Sequence, residues 1–96
     1  MRLTIEERKQ IKQHVSNVFG EGSRTILFGS RADDTKKGGD IDLYIEPQYL
    51  NNETEQKITL MTKLQLALGD QKIDIVVAKD KNRLIEQEVR KKGVLI

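Results

Sequence analysis

Ile11, Val15, Val18 and Phe19 recur at the i, i+4, i+7, i+8 spacing of a single helix face, and Thr4 followed by Glu7 supplies a capping box ahead of them. The pattern predicts a first helix reaching about Phe19, where Gly20 and Gly22 interrupt it. Thr25-Ile26-Leu27-Phe28 then reads as a short buried strand that stops at Gly29. After a polar, glycine-containing stretch the period changes to two. From Asp40 onward, Ile41, Leu43 and Ile45 point to one side, and Asp40, Asp42 and Tyr44 to the other. Pro47 and Asn51-Asn52 mark a loop, beyond which Ile58, Met61, Leu64, Ala67 and Leu68 outline a second helix face ended by Gly69. Ile73, Ile75 and Val77 alternate with Asp74 and Val76 in a third strand. Asp80 can cap a last helix with Leu84, Ile85, Glu88 and Val89 on one side and Gly93 at its end; Val94-Leu95-Ile96 reads as an edge strand or a packed tail. Taken in order, these elements predict one α/β (α+β) domain over residues 1–96, a small mixed β-sheet with helices packed on it.

Composition narrows the chemistry. Ninety-six residues suit one core, and 36% apolar with 33% charged residues is ordinary for a soluble domain. No apolar run approaches the roughly 20 residues of a membrane span. The opening MRLTIEERKQ has no signal-peptide character, so a cytoplasmic location is expected. With no cysteine and a single histidine, His14, a bound metal has to be held mainly by oxygen, which suits hard cations such as magnesium. The 17 basic residues are offset by 15 acidic ones, too even a balance to argue for duplex binding, and four aromatics do not make a base-stacking platform. Direct nucleic-acid binding and membrane association are both unexpected partners.

The candidate chemistry lies in three segments: Leu27-Phe28-Gly29-Ser30-Arg31, Asp40-Ile41-Asp42-Leu43 and Lys72-Ile73-Asp74-Ile75-Val76. Asp40 and Asp42 stand two apart on a strand, so their carboxylates leave the same face and repel unless a cation lies between them. Asp74 sits between two core residues, so its carboxylate emerges opposite them. If the two strands are neighbours, three carboxylates converge into an open site for one or two magnesium ions that also bind substrate phosphates. Gly29 and Ser30 follow a strand and are expected at a helix N-terminus, where backbone N–H groups and the Ser30 hydroxyl can hold terminal phosphates. Arg31 reads equally as a triphosphate contact and as a solvated neighbour, while Lys36 and Lys37 read as a solvated loop. His14 belongs at the boundary of the first helix's apolar face. Tyr44 shares the aspartate face, where it can line a nucleotide pocket or pack.

Gly29-Ser30, nine intervening residues, Asp40-x-Asp42 and the later Asp74 together resemble the signature of the DNA polymerase beta-like nucleotidyltransferase superfamily, and the short chain resembles its minimal nucleotidyltransferase (MNT) branch. The resemblance implies that Asp40 and Asp42 bind two Mg2+ ions, that Asp74 binds the catalytic one and helps activate the acceptor, and that Gly29 and Ser30 bind the triphosphate of ATP. Many members carry Ser before the first Asp; Gly39 stands there in this chain. The P-loop and EF-hand patterns both fail on spacing.

Larger relatives in this superfamily bring a second domain for the base or acceptor, so the acceptor surface is expected from elsewhere. The resemblance implies pairing with a small helical HEPN protein, often a ribonuclease toxin, with the MNT protein as antitoxin, in some cases by moving AMP from ATP onto a tyrosine of the toxin. Two alternatives stand beside it. One is a catalytically silent module that masks its partner through Val94, Leu95 and Ile96; the other is a transferase acting on a small aminoglycoside-like molecule.

Overall fold

The computed structural model describes residues 3–29, 39–69, 71–78 and 92–96. Within them the order is α1 (Ile5–Phe19), β1 (Arg24–Phe28), β2 (Ile41–Glu46), α2 (Glu53–Leu68), β3 (Ile73–Val77) and β4 (Val94–Leu95). Ser30, Arg31, Lys36, Lys37 and the helix expected after Asp80 lie outside the described residues.

The first helix begins as the sequence predicts. The Glu7 N–H donates to Thr4 Oγ1 and the Thr4 N–H donates to Glu7 Oε1, both at 3.0 Å, which satisfies two N–H groups that the first turn leaves without partners. Ile11, Val15 and Phe19 are buried along its inner face, and Gly20 ends it at φ +105°. At the start of α2 the Asn52 side chain accepts from the Glu55 N–H. Gln56 then ties this helix to the rest of the molecule. Its Nε2 donates to the carbonyls of Val18 and Tyr49, and its Oε1 accepts from the N–H groups of Asn51 and Asn52.

The buried face of α2 differs from the one expected. Leu60 and Leu64 are fully buried with Met61 and Leu68 beside them, whereas Ile58 is 61% exposed and Ala67 is also exposed. At 100° per residue Ile58 lies about 160° around the helix from Leu60, so both cannot face the sheet. Two apolar stripes overlap in this segment, and the expected face mixes them.

The strands form one sheet in the order β3-β2-β1-β4. β1 pairs antiparallel with β2 and with β4, while β2 and β3 run parallel. Among the described residues the result is a small mixed sheet with two helices packed on it, the architecture that the element order predicts. One face, carrying Leu27, Ile41, Leu43, Ile45, Ile73, Ile75 and Val77, packs with Ile11, Val15, Phe19, Leu60 and Leu64 in the main core. The opposite face carries a smaller apolar cluster around Ile26 and Tyr44, flanked by Phe28, Val76 and Ala78.

Val94-Leu95 forms the expected edge strand, and Ile96 behind it is packed in the main core with its N–H donating to the Thr25 carbonyl at 3.0 Å. Among these three residues only Leu95 is substantially exposed, at 52%. Ile96 therefore drops out of the masking surface expected over Val94, Leu95 and Ile96, because its packing removes it from solvent.

Candidate active site

Strand topology assembles the site. β2 and β3 start side by side and run the same way, with Ile41 opposite Ile73 and Asp42 opposite Asp74. Directly paired residues share a face of the sheet, and the isoleucines are committed to the core, so both carboxylates emerge on the other face. β1 runs the opposite way, with Phe28 opposite Asp42. Its C-terminal end therefore arrives beside the starts of β2 and β3. Gly29, the next residue, turns the chain at φ +73° directly against Asp42.

That approach is close. A Cβ at Gly29 would land on Oδ2 of Asp42 and lie 3.2 Å from its Cγ. Glycine is required here twice over, for the positive φ and for the space that the carboxylate occupies. At Gly39 the situation is the reverse, since a Cβ there has nothing within 4 Å among the described residues.

Asp42 is half-buried and Asp74 is exposed. Burial is the main influence pushing the Asp42 carboxyl above its ordinary range, followed by the charge of Asp74, a hydrogen bond with the Asp74 carboxyl, and the charge of Asp40; Lys72 pulls the other way. A hydrogen bond between two carboxyl groups needs one proton between them. A cation can take the place of that proton.

Asp40 stands just ahead of β2 and its carboxylate is turned to Lys72, with Nζ 3.7 Å from Oδ2. Among the described residues no three acidic or histidine side chains are gathered into a ready cation cage. The contact between acids is the pair Asp42–Asp74, with Asp40 alongside and held by a lysine. An oxygen-only donor set with a surplus of negative charge suits a hard divalent cation, and these are the residues able to hold one.

The chain matches, over residues 9–96, the model of the family described as Polymerase beta, Nucleotidyltransferase. It belongs to that family. No match was found among the curated proteins compared. The general activity of this domain is therefore transfer of a nucleotidyl group, and the segment matched takes in Gly29, Asp40, Asp42 and Asp74. No helix among the described residues is long and apolar enough to cross a membrane.

Two neighbours of the acidic cluster were not singled out from the sequence. Lys72 contributes the only described ion pair at the acidic cluster, and Phe28 is the apolar neighbour of Asp42 across the β1–β2 pair. Lys72 stands two positions before Asp74, a spacing that could have marked it, since residues two apart on a strand share a face. Tyr44 is fully buried in the apolar cluster of this face, so of its two sequence readings packing is the one realised. His14 is half-buried on α1, in keeping with its expected boundary position.

Proposed function

We propose that this nucleotidyltransferase domain moves AMP from ATP onto a hydroxyl acceptor in a Mg2+-dependent reaction, the acceptor being a tyrosine of a small helical HEPN partner toxin, for which the chain acts as antitoxin. The observation that carries the transfer chemistry is the direct pairing of Asp42 with Asp74 on one sheet face, with the Gly29 backbone against Asp42. In this reading Asp40, Asp42 and Asp74 hold the cations. Gly29 gives the triphosphate a side-chain-free stretch of backbone to lie on, and the neighbouring Ser30 and Arg31 supply a hydroxyl and a guanidinium to its phosphates. Bound divalent ions neutralise charge on the phosphates and lower the pKa of the attacking hydroxyl.

The acceptor oxygen attacks the α-phosphorus, its bond to phosphorus forms as the α–β anhydride bond breaks, and pyrophosphate leaves. Asp74, exposed while Asp42 is half-buried, receives the hydroxyl proton. The burial of Ile96 weakens the masking alternative, which loses part of its expected surface. The test is to incubate the chain and a HEPN partner with labelled ATP and Mg2+. Label on the partner that disappears in Asp40→Asn and Asp42→Asn, while the complex still forms, supports transfer. Neutralisation of the toxin by those variants, without label, refutes it.

A further inference from the structure

Lys72 is the one basic residue described at the acidic cluster, and three observations place it there. Its own carbonyl accepts from the Ile41 N–H at 2.9 Å, which locks the backbone of residue 72 beside the start of β2. The register continues that pairing, Ile73 opposite Ile41 and Asp74 opposite Asp42, so Lys72 stands across from Asp40 on the carboxylate face. Its Nζ then reaches to 3.7 Å from Asp40 Oδ2, with both side chains largely open to water at 70% and 46% exposure. In that position Asp40 is paired with a lysine while Asp42 and Asp74 stand directly opposite each other, and no three-carboxylate cage is gathered among the described residues.

We infer that Lys72 is a positioning residue that occupies Asp40 as a built-in counter-ion and competes with the divalent cation for it. The inference rests on the reading of Asp40, Asp42 and Asp74 as cation ligands and adds a function for a residue outside that set. Physically, an ammonium and a divalent ion cannot both sit close to one carboxylate without repelling each other, so uptake of the cation by Asp40 requires Lys72 to let go. The ion pair is exposed and worth little by itself. Lys72 is thus a weak latch: it lowers repulsion among the acids when no cation is present and gives way when one arrives.

The test uses Mn2+ alone as the probe, with free Mn2+ followed by electron paramagnetic resonance, on the wild-type chain, Lys72→Met and Lys72→Arg. Removing an exposed ion-pair competitor should tighten Mn2+ binding about 2- to 5-fold in Lys72→Met, while Lys72→Arg keeps the wild-type affinity. A second measurement needs no metal: thermal melts of wild type, Lys72→Met, Asp40→Asn and the double variant should be non-additive by about 2–6 °C, because both single changes remove the same pair. Unchanged Mn2+ affinity in Lys72→Met overturns the latch. So does tightening without the metal-free coupling, since that is what a lysine acting only through its distant field gives. If none of the proteins, wild type included, takes up Mn2+, the carboxylates are not cation ligands and the proposed function falls together with the latch.

Discussion

Replacing Gly29 by alanine tests the site more sharply than replacing an aspartate, because it leaves every charged group in the chain. Two costs are expected. The backbone holds φ +73°, a conformation that costs an L-residue about 1–2 kcal/mol. The added methyl also collides with Asp42 Oδ2, and displacing that carboxylate within a packed strand pair costs about 1–3 kcal/mol more. The sum, about 2–5 kcal/mol, lowers Tm by about 10–25 °C in a domain of this size. The two parts separate in a double-mutant cycle. Asp42→Ala removes the oxygen that the methyl meets, and the remaining Asp42 Cβ, 3.5 Å away, is at an ordinary contact distance. Gly29→Ala should therefore be about 1–3 kcal/mol cheaper in the Asp42→Ala background, leaving only the backbone strain. Gly69→Ala serves as a strain control, since Gly69 has φ +80° and a Cβ there has nothing within 4 Å among the described residues. The assay is chemical denaturation of the four cycle members, with Mn2+ affinity measured alongside. Additivity within about 0.5 kcal/mol, or cation affinity in Gly29→Ala equal to wild type, would refute the claim that this glycine exists to make room for the carboxylate.

Four further outcomes follow from the same geometry. Asp42 titrates above its ordinary 3.8, so the folded state holds that proton more tightly than the unfolded chain, and its contribution to stability declines as pH rises from about that value through the raised folded one. Denaturation from pH 3.5 to 7 should accordingly show Asp42→Asn without this decline and more stable than wild type at pH 7 by about 0.5–1 kcal/mol, although inactive; a less stable variant there contradicts the pairing of like charges. Gln56→Ala strips four hydrogen bonds that join α2 to the end of α1 and to the loop before it, and should cost about 2–4 kcal/mol in urea melts while leaving Mn2+ affinity unchanged. Thr4→Ala breaks the capping box and should cost about 1 kcal/mol by the same measurement. Gly39→Ser should stay within about 0.5 kcal/mol of wild type, because a Cβ there meets nothing within 4 Å among the described residues.

Much of the sheet was legible because alternation is unambiguous when one face is apolar. Ile41-Asp42-Leu43 and Ile73-Asp74-Ile75 each announce a core side and an acidic side, and the structure keeps both. The second helix was read less well. Ile58, Leu60, Met61, Leu64, Leu66 and Leu68 offer more apolar positions than one face can hold, and only contact with the sheet and with α1 chooses Leu60 and Leu64. The parallel register of β2 with β3 had no sequence signal of its own. It is a long-range pairing fixed by packing, and on it depends whether Asp74 meets Asp42 or misses it. The pairing of Lys72 with Asp40 had no signal for the same reason, since the two are remote in sequence and adjacent only through that register.

The two faces of the sheet are therefore not independent. Among the even-numbered residues of β2 and β3, Asp42 and Asp74 belong to the acidic cluster while Tyr44 and Val76 join the smaller apolar cluster; the odd-numbered ones make the main core, and each strand carries both sets on one backbone. The fold gains its stability from Ile41, Leu43, Ile45, Ile73, Ile75 and Val77, which are apolar, closely packed and remote from charge. Asp42 and Asp74 add repulsion to the opposite side of the same strands, and the apolar side absorbs it. A one-residue slip of β3 against β2 would drive Asp74 into the core and expose three branched apolar side chains, a penalty far larger than any relief of repulsion between two acids. Core packing thus forces together carboxylates that would separate if left to themselves. It holds them in a geometry that a proton or a cation would relieve, and in the proposed reading this repulsion is what would draw a divalent ion to the pair.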